Sequence, residues 1–263
     1  MKRFGYFIIS LLAAAGIIAL AVHLRIRNSI EESNTDDYAM IGDIPTPEGY
    51  ERVNCEDFEF GTYLRSLPLK PKGAIIKYYY GGIADLQELN YAVVDLPLLS
   101  NAEQCADVCM RLRAEYLYQI GRASDIHFLD VQGNVLNYSG EDSTDSLEDY
   151  LRGVFRVANT YSLCQEMQDR ILADIQPGDV FVYPANGERY GHAVMVADVA
   201  QRPDTGEKAI LLVEGYLPAR SIHVMNNLAD STHSPWFLLD KHAESFDFSI
   251  FHFDATDLKY FDE

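Results

Sequence analysis

The feature that most constrains the fold is a change of period after residue 174. Four short apolar runs follow one another: Val180 to Tyr183, His192 to Val199, Ala209 to Gly215 and Ser221 to Met225. The links between them carry Pro, Asn, Gly and Asp, the residues that turn a chain. The runs therefore read as successive antiparallel strands. Earlier in the chain the pattern is mostly helical. Between Ala102 and Ile120, Cys105, Val108, Cys109, Leu112, Tyr116 and Ile120 recur at a spacing of three to four, with Asn101 as N-cap and Gly121 as C-cap. Phe58 to Leu67 is a short helix that stops at Pro68, and Leu147 to Ala173 is broadly helical. Ala74 to Tyr80, followed by a Gly-Gly turn, and Tyr91 to Leu96 read as strands. Helices first and antiparallel strands later specify one α+β domain, assigned to residues 47–263.

What precedes that domain has a different character. Between Phe4 and Val22 no residue is charged, and the run is almost wholly apolar. At about 1.5 Å per residue it is long enough to cross roughly 30 Å of hydrocarbon. Residues 1–24 are therefore expected to be a signal anchor, which reaches the membrane through this helix, or a cleaved signal peptide. Residues 25–46 are polar and acidic without periodicity and read as a tether. Either reading of the N-terminus places the domain outside the cytoplasm. Of the 21 cationic residues, Lys2, Arg3, Arg25 and Arg27 belong to this terminus. From Asn28 onward, 17 cationic residues face all 40 acidic ones, a balance of −23. Such a surface excludes non-specific nucleic-acid binding, which needs clustered cations.

Three residues combine chemistry with position. Cys105 falls in the first turn of the long helix, where unpaired N–H groups favour a thiolate and a developing oxyanion. His192 opens an otherwise apolar strand, and an imidazole is the base a cysteine nucleophile needs. Glu214 stands among apolar neighbours in Ile210 to Arg220, and a buried carboxylate requires a partner. Orienting His192 would supply one; a salt bridge to Arg113 or Arg220 is the alternative. Asp198 is a second candidate orienting acid, but it lies six residues beyond His192, roughly 20 Å along an extended strand. The cysteines are Cys55, Cys105, Cys109 and Cys164, too few to define a disulfide scaffold.

The run Pro177-Gly178-Asp179-Val180-Phe181-Val182, then Gly191-His192-Ala193-Val194-Met195-Val196, resembles the core hairpin of NlpC-type and CHAP-type papain-like cysteine amidases. The resemblance implies a papain-like domain whose helix begins near the catalytic cysteine. It carries Cys105 over as nucleophile, His192 as base and Glu214 as third member, with no cofactor and no metal. Departures from those families are visible. No Asp-Cys-Ser signature surrounds Cys105, the interval from Cys105 to His192 is long, and the third member is Glu. A resemblance over nearly the whole mature chain is to an uncharacterised family of exported bacterial proteins, DUF4846-like. It rests on Phe60 to Pro71, Gln104 to Tyr118, Gly178 to Ala200 and the LPARSIHV segment followed by Pro235-Trp236.

The expected function is a cell-envelope thiol hydrolase acting on an amide, with peptidoglycan stem peptides or another peptide as substrate. The alternative is a non-catalytic envelope binding module of the same fold. A metal-dependent hydrolase using His127, His192 and His223 is disfavoured, because no His-Glu-x-x-His pair exists.

Overall fold

The computed structural model describes residues 37–57, 59–140 and 146–262. The expected membrane segment lies outside the described residues. No helix among the described residues is long and apolar enough to cross a membrane. The strands in chain order are β1 (Glu51–Arg52), β2 (Asn90–Val93), β3 (His127–Leu129), β4 (Val135–Asn137), β5 (Gln168–Asp169), β6 (Val180–Tyr183) and β7 (His192–Gln201), followed by β8 (Lys208–Glu214), β9 (His223–Met225), β10 (Phe237–Leu239), β11 (Ser245–Phe248), β12 (Phe251–Asp254) and β13 (Leu258–Tyr260). The helices are α1 (Phe60–Arg65), α2 (Cys105–Gln119), α3 (Leu147–Val154) and α4 (Thr160–Glu166).

The expected α+β class holds, and the sheet is antiparallel throughout. Its order is β2-β9-β8-β7-β6-β13-β5, with β1 added on β7 and β10 on β8. The four runs after residue 174 form its centre as β6 to β9. Alternation divides their side chains between two cores. Val180, Val182, Ala193, Met195, Leu211 and Val213 face the helices. Phe181, Val194, Val196, Ile210 and Leu212 face the opposite layer, built around the β11–β12 hairpin with Phe246, Phe248, Phe251 and Phe253. Both faces are covered, so β7 is buried along nearly all of its ten residues.

Several local expectations are corrected. Helix α2 begins at Cys105, with Gln104 as N-cap in extended conformation. The Asp107 carboxylate accepts the Gln104 backbone N–H at 2.9 Å and starts the helix there, not at Ala102. The other end is as expected: Gly121 adopts φ +77°, and its N–H reaches Tyr118 O at 3.1 Å. The stretch from Leu147 is broken, because the Asn159 side chain accepts from the N–H groups of Tyr161 and Ser162 and starts a separate helix, α4. Ala74 to Tyr80 makes only isolated bridges, Lys77 to Ile83 and Tyr78 to Arg220.

The polar stretch read as a tether ends earlier than its composition suggests. Ile41 and Ile44 are fully buried in the helical core. Ile41 N–H bonds Leu67 O at 3.1 Å, and Trp236 Nε1–H donates to Pro45 O at 2.7 Å. All four cysteines are free thiols.

Candidate active site

Cys105, His192 and Glu214 come from three elements that end at one edge of the sheet. β7 starts at His192 and β8 ends at Glu214, so antiparallel pairing brings both to the same end. Helix α2 packs on β7 and β8 and delivers its first residue to that end. Two glycines permit the approach. A Cβ at Gly215 would lie 2.5 Å from Val108 Cγ2 and 3.2 Å from Gln104 O, so only glycine lets β8 run on beneath the helix start. A Cβ at Gly191 would lie 2.1 Å from Thr160 Oγ1 and 2.8 Å from Ala185 N. The Gly-His and Glu-Gly pairs are thus packing requirements flanking the polar residues.

The geometry is a relay. His192 Nε2 lies 3.0 Å from Glu214 Oε2, and Cys105 is the other polar neighbour that acts on the ring. With Nε2–H donated to Glu214, Nδ1 is the nitrogen left for the thiol. The ring is buried and stacks on Phe251, with centroids 4.0 Å apart, and Tyr216 meets it edge-on at 5.7 Å. Packing on both sides fixes the ring plane, so the imidazole is preorganised.

Burial and partners pull the charges in opposite directions. Burial works against the charged imidazole of His192, but the neighbouring Cys105 and Glu214 hold it up at about 9. Burial works to raise Glu214, yet the neighbouring His192 and His223 hold it down at about 2. The result is a fixed buried carboxylate that favours a proton on His192, so the ring can hold the one that the Cys105 sulfur gives up. Cys109, one turn further along α2, is different. Burial pushes its thiol well above the ordinary range, and its Sγ–H bonds the Cys105 carbonyl at 3.4 Å.

His223 is the partner that sequence reasoning did not place here. It pairs with Glu214 across β8 and β9, and its Nε2 lies 3.1 Å from Glu214 Oε1. That contact falls outside good hydrogen-bond alignment. Its Nδ1–H donates to Ser221 O at 3.2 Å. Neither arginine alternative holds for Glu214. Arg220 pairs with Asp85 at 2.8 Å and stacks over Tyr216, and Arg113 donates to Asp262 O at 3.2 Å.

Asp198 takes no part. It is buried at the far end of β7, where Arg52 and Arg65 clamp it at 2.6 and 2.7 Å. His127 stands exposed on β3 and lines a separate cleft with Arg122 and Glu166, so the three histidines considered together for a metal are not gathered. No cluster of three or more metal-ligating side chains occurs among the described residues.

Cys105 and His192 open onto a cleft of about 620 Å³. Gln104 and Tyr216 line it near the thiol; Ala102, Phe155 and Ala158 form an apolar wall. The first backbone N–H groups of α2 have no partner within the helix and can meet an anion at its mouth. The arrangement offers a nucleophile, an oriented base and preorganised donors in a space of ligand size.

No curated protein and no solved structure matches the chain. Residues 41–140 and 139–260 match the family described as Domain of unknown function (4846), and the chain belongs to that family.

Proposed function

We propose that the protein is a papain-like thiol hydrolase of the cell envelope, cleaving an amide or isopeptide bond in a peptide substrate. The observation that carries the proposal is that Cys105, at the start of a long helix, shares an open cleft with His192, whose ring is hydrogen-bonded to Glu214. In this mechanism His192 takes the Cys105 proton, and Sγ attacks the substrate carbonyl. The Cys105 backbone N–H faces the oxyanion. The C–N bond breaks, the leaving amine takes the proton from His192, and a thioester remains. Water then attacks the thioester, His192 accepts its proton, and the carboxylic acid and the free thiol are released. Glu214 stays ionised and holds the tautomer that presents Nδ1 to sulfur. These steps need no cofactor.

Peptidoglycan stem peptides are the substrate class that fits a domain exported behind a membrane segment at residues 1–24, and the acidic surface suits a partner other than nucleic acid. The test is hydrolysis of purified stem peptides by the wild-type chain and by Cys105→Ala. Loss of all turnover with an unchanged melting temperature is expected. Full turnover in Cys105→Ala would overturn the mechanism. A Cys105 inert to iodoacetamide at neutral pH would favour a binding module of the same fold.

A further inference from the structure

Two tyrosines flank His192 from either side of β7. Tyr183 ends β6 and stands opposite His192 in the β6–β7 register, so both side chains leave the same face of the sheet. Tyr216 follows the last residue of β8 by two positions, and its ring centroid is 5.7 Å from that of His192. Both tyrosines line the cleft with Cys105, whose charge acts on both phenols. Each hydroxyl lacks a hydrogen-bond partner among the described residues, yet neither is sealed from solvent. Burial raises both phenols above their ordinary value, so at neutral pH each keeps its proton and can donate a hydrogen bond.

Each ring also carries a cation on its face. Arg189 lies 3.6 Å from the Tyr183 centroid, and Arg220 lies 4.2 Å from that of Tyr216. Arg220 is paired with Asp85, but Arg189 donates to the His252 carbonyl and makes no ion pair among the described residues. Arg189 is the foremost charge acting on Tyr183, whereas Glu214 outweighs Arg220 at Tyr216. Tyr183 is therefore the stronger donor of the two. Negative charge is scarce in the cleft itself. Asp107 is the one carboxyl among the described residues that line it, and burial pushes that carboxyl up to about 8, so it offers an anion little repulsion. Glu214 stands behind the imidazole and does not line the cleft. In a chain with 40 acidic and 21 basic residues, this local reversal suits a bound anion.

Resting on the thiol-hydrolase reading, we propose that Tyr183 and Tyr216 bind a carboxylate of the substrate beside the bond cleaved, with Arg189 supplying countercharge. A carboxylate has oxygens enough to accept from both hydroxyls. Because the tyrosines flank His192, the carboxylate belongs to one of the two residues joined by the scissile bond. Two sources share this chemistry. One is an acidic side chain on the residue that supplies the attacked carbonyl; the other is a carboxylate on the leaving residue, such as a free C-terminus. Either makes the hydrolase selective for the acid over its amide.

The experiment uses peptidyl acyloxymethyl ketones, which alkylate a cysteine nucleophile without turnover, on the full chain. In one pair the residue next to the reactive carbon is glutamate or glutamine. In a second pair the acyloxy leaving group carries a carboxylate or a carboxamide. Each rate of Cys105 alkylation, followed by peptide mass spectrometry, is divided by the reagent's rate with free cysteine. The wild type should prefer the carboxylate by about tenfold or more in one pair, and that pair identifies the source. The preference should fall by about threefold or more in Tyr183→Phe and in Arg189→Gln, by less in Tyr216→Phe, and towards one in the double tyrosine variant. The tyrosine variants lose no hydrogen bond within the chain, so their melting temperatures should not change. Equal rates within both pairs in the wild type would overturn the carboxylate site. So would a preference that the folded double variant retains, or one that Arg189→Gln leaves whole. Iodoacetamide separates the two levels of argument: a Cys105 that reacts with it but does not distinguish the probes refutes only the carboxylate site. A Cys105 inert to every reagent refutes the hydrolase reading and the site with it.

Discussion

Replacing Glu214 by Gln keeps the shape of the side chain and removes its charge, so it isolates what the carboxylate does to His192. The imidazole is held at about 9 against an ordinary value of 6.5. That difference is about 3 kcal/mol of net preference for the charged ring. It is achieved against burial by four contributions, two from Cys105 and two from Glu214. The favourable sum exceeds the net, so losing the Glu214 share should lower the ring's midpoint by about one pH unit or more, on the order of 1 kcal/mol. Two measurements read this. In histidine-labelled protein the His192 resonance, assigned by its absence in His192→Gln, should titrate near pH 9 in the wild type and more than one unit lower in Glu214→Gln. The alkaline midpoint in the rate of Cys105 alkylation should move down with it. The linkage has a definite sign. The His192 contribution to folding is complete below pH 6.5 and is lost as pH rises through about 9. The Glu214 contribution is present above 4.5, its ordinary value, and is lost as pH falls through about 2. A His192 midpoint that does not move in Glu214→Gln would refute the electrostatic account of the relay.

Other expectations separate the site from the scaffold. Asp198→Asn should unclamp Arg52 and Arg65 and lower stability by about 3 kcal/mol in urea titration, while Cys105 alkylation in the folded protein keeps its rate. Gly215→Ala forces β8 away from the helix start; about 1–3 kcal/mol of stability and most of the Cys105 reactivity should be lost together, read by melting and alkylation on one sample. His223→Leu removes the imidazole beside Glu214 Oε1 and should cost about 1–3 kcal/mol, with the His192 midpoint shifting in the NMR titration.

The site was legible where local chemistry and element boundaries coincide. Cys105 at a helix start, His192 at a strand start and Glu214 at a strand end each leave a trace in sequence, and antiparallel pairing carries the last two to one end. The exact helix start did not show, because Asn101 is a better N-cap by type than Gln104. The Asp107 carboxylate decided the matter from inside the helix. His223 was hidden because its partnership depends on the β8–β9 register, Glu214 opposite His223. Phe251, which packs the His192 ring, comes from a hairpin whose docking on β6 and β7 has no local signature. Ile41 and Ile44 were masked by the acidic residues around them, although each is buried as deeply as any strand residue.

Strand β7 also behaves as a lever with two differently loaded ends. Ten residues span about 30 Å. His192 occupies one end. The other carries Asp198 to Gln201, where β1 pairs and Arg52 joins Asp198 and the Ile44 carbonyl. A pull entering through the N-terminal end of the domain therefore meets Ile41, Pro45 and the Arg52 clamp first. It is spread across the rear of the sheet, with the full strand between it and the imidazole. A load at Arg52 thus meets the Asp198 end of β7, and His192 stands at the opposite end of the same strand.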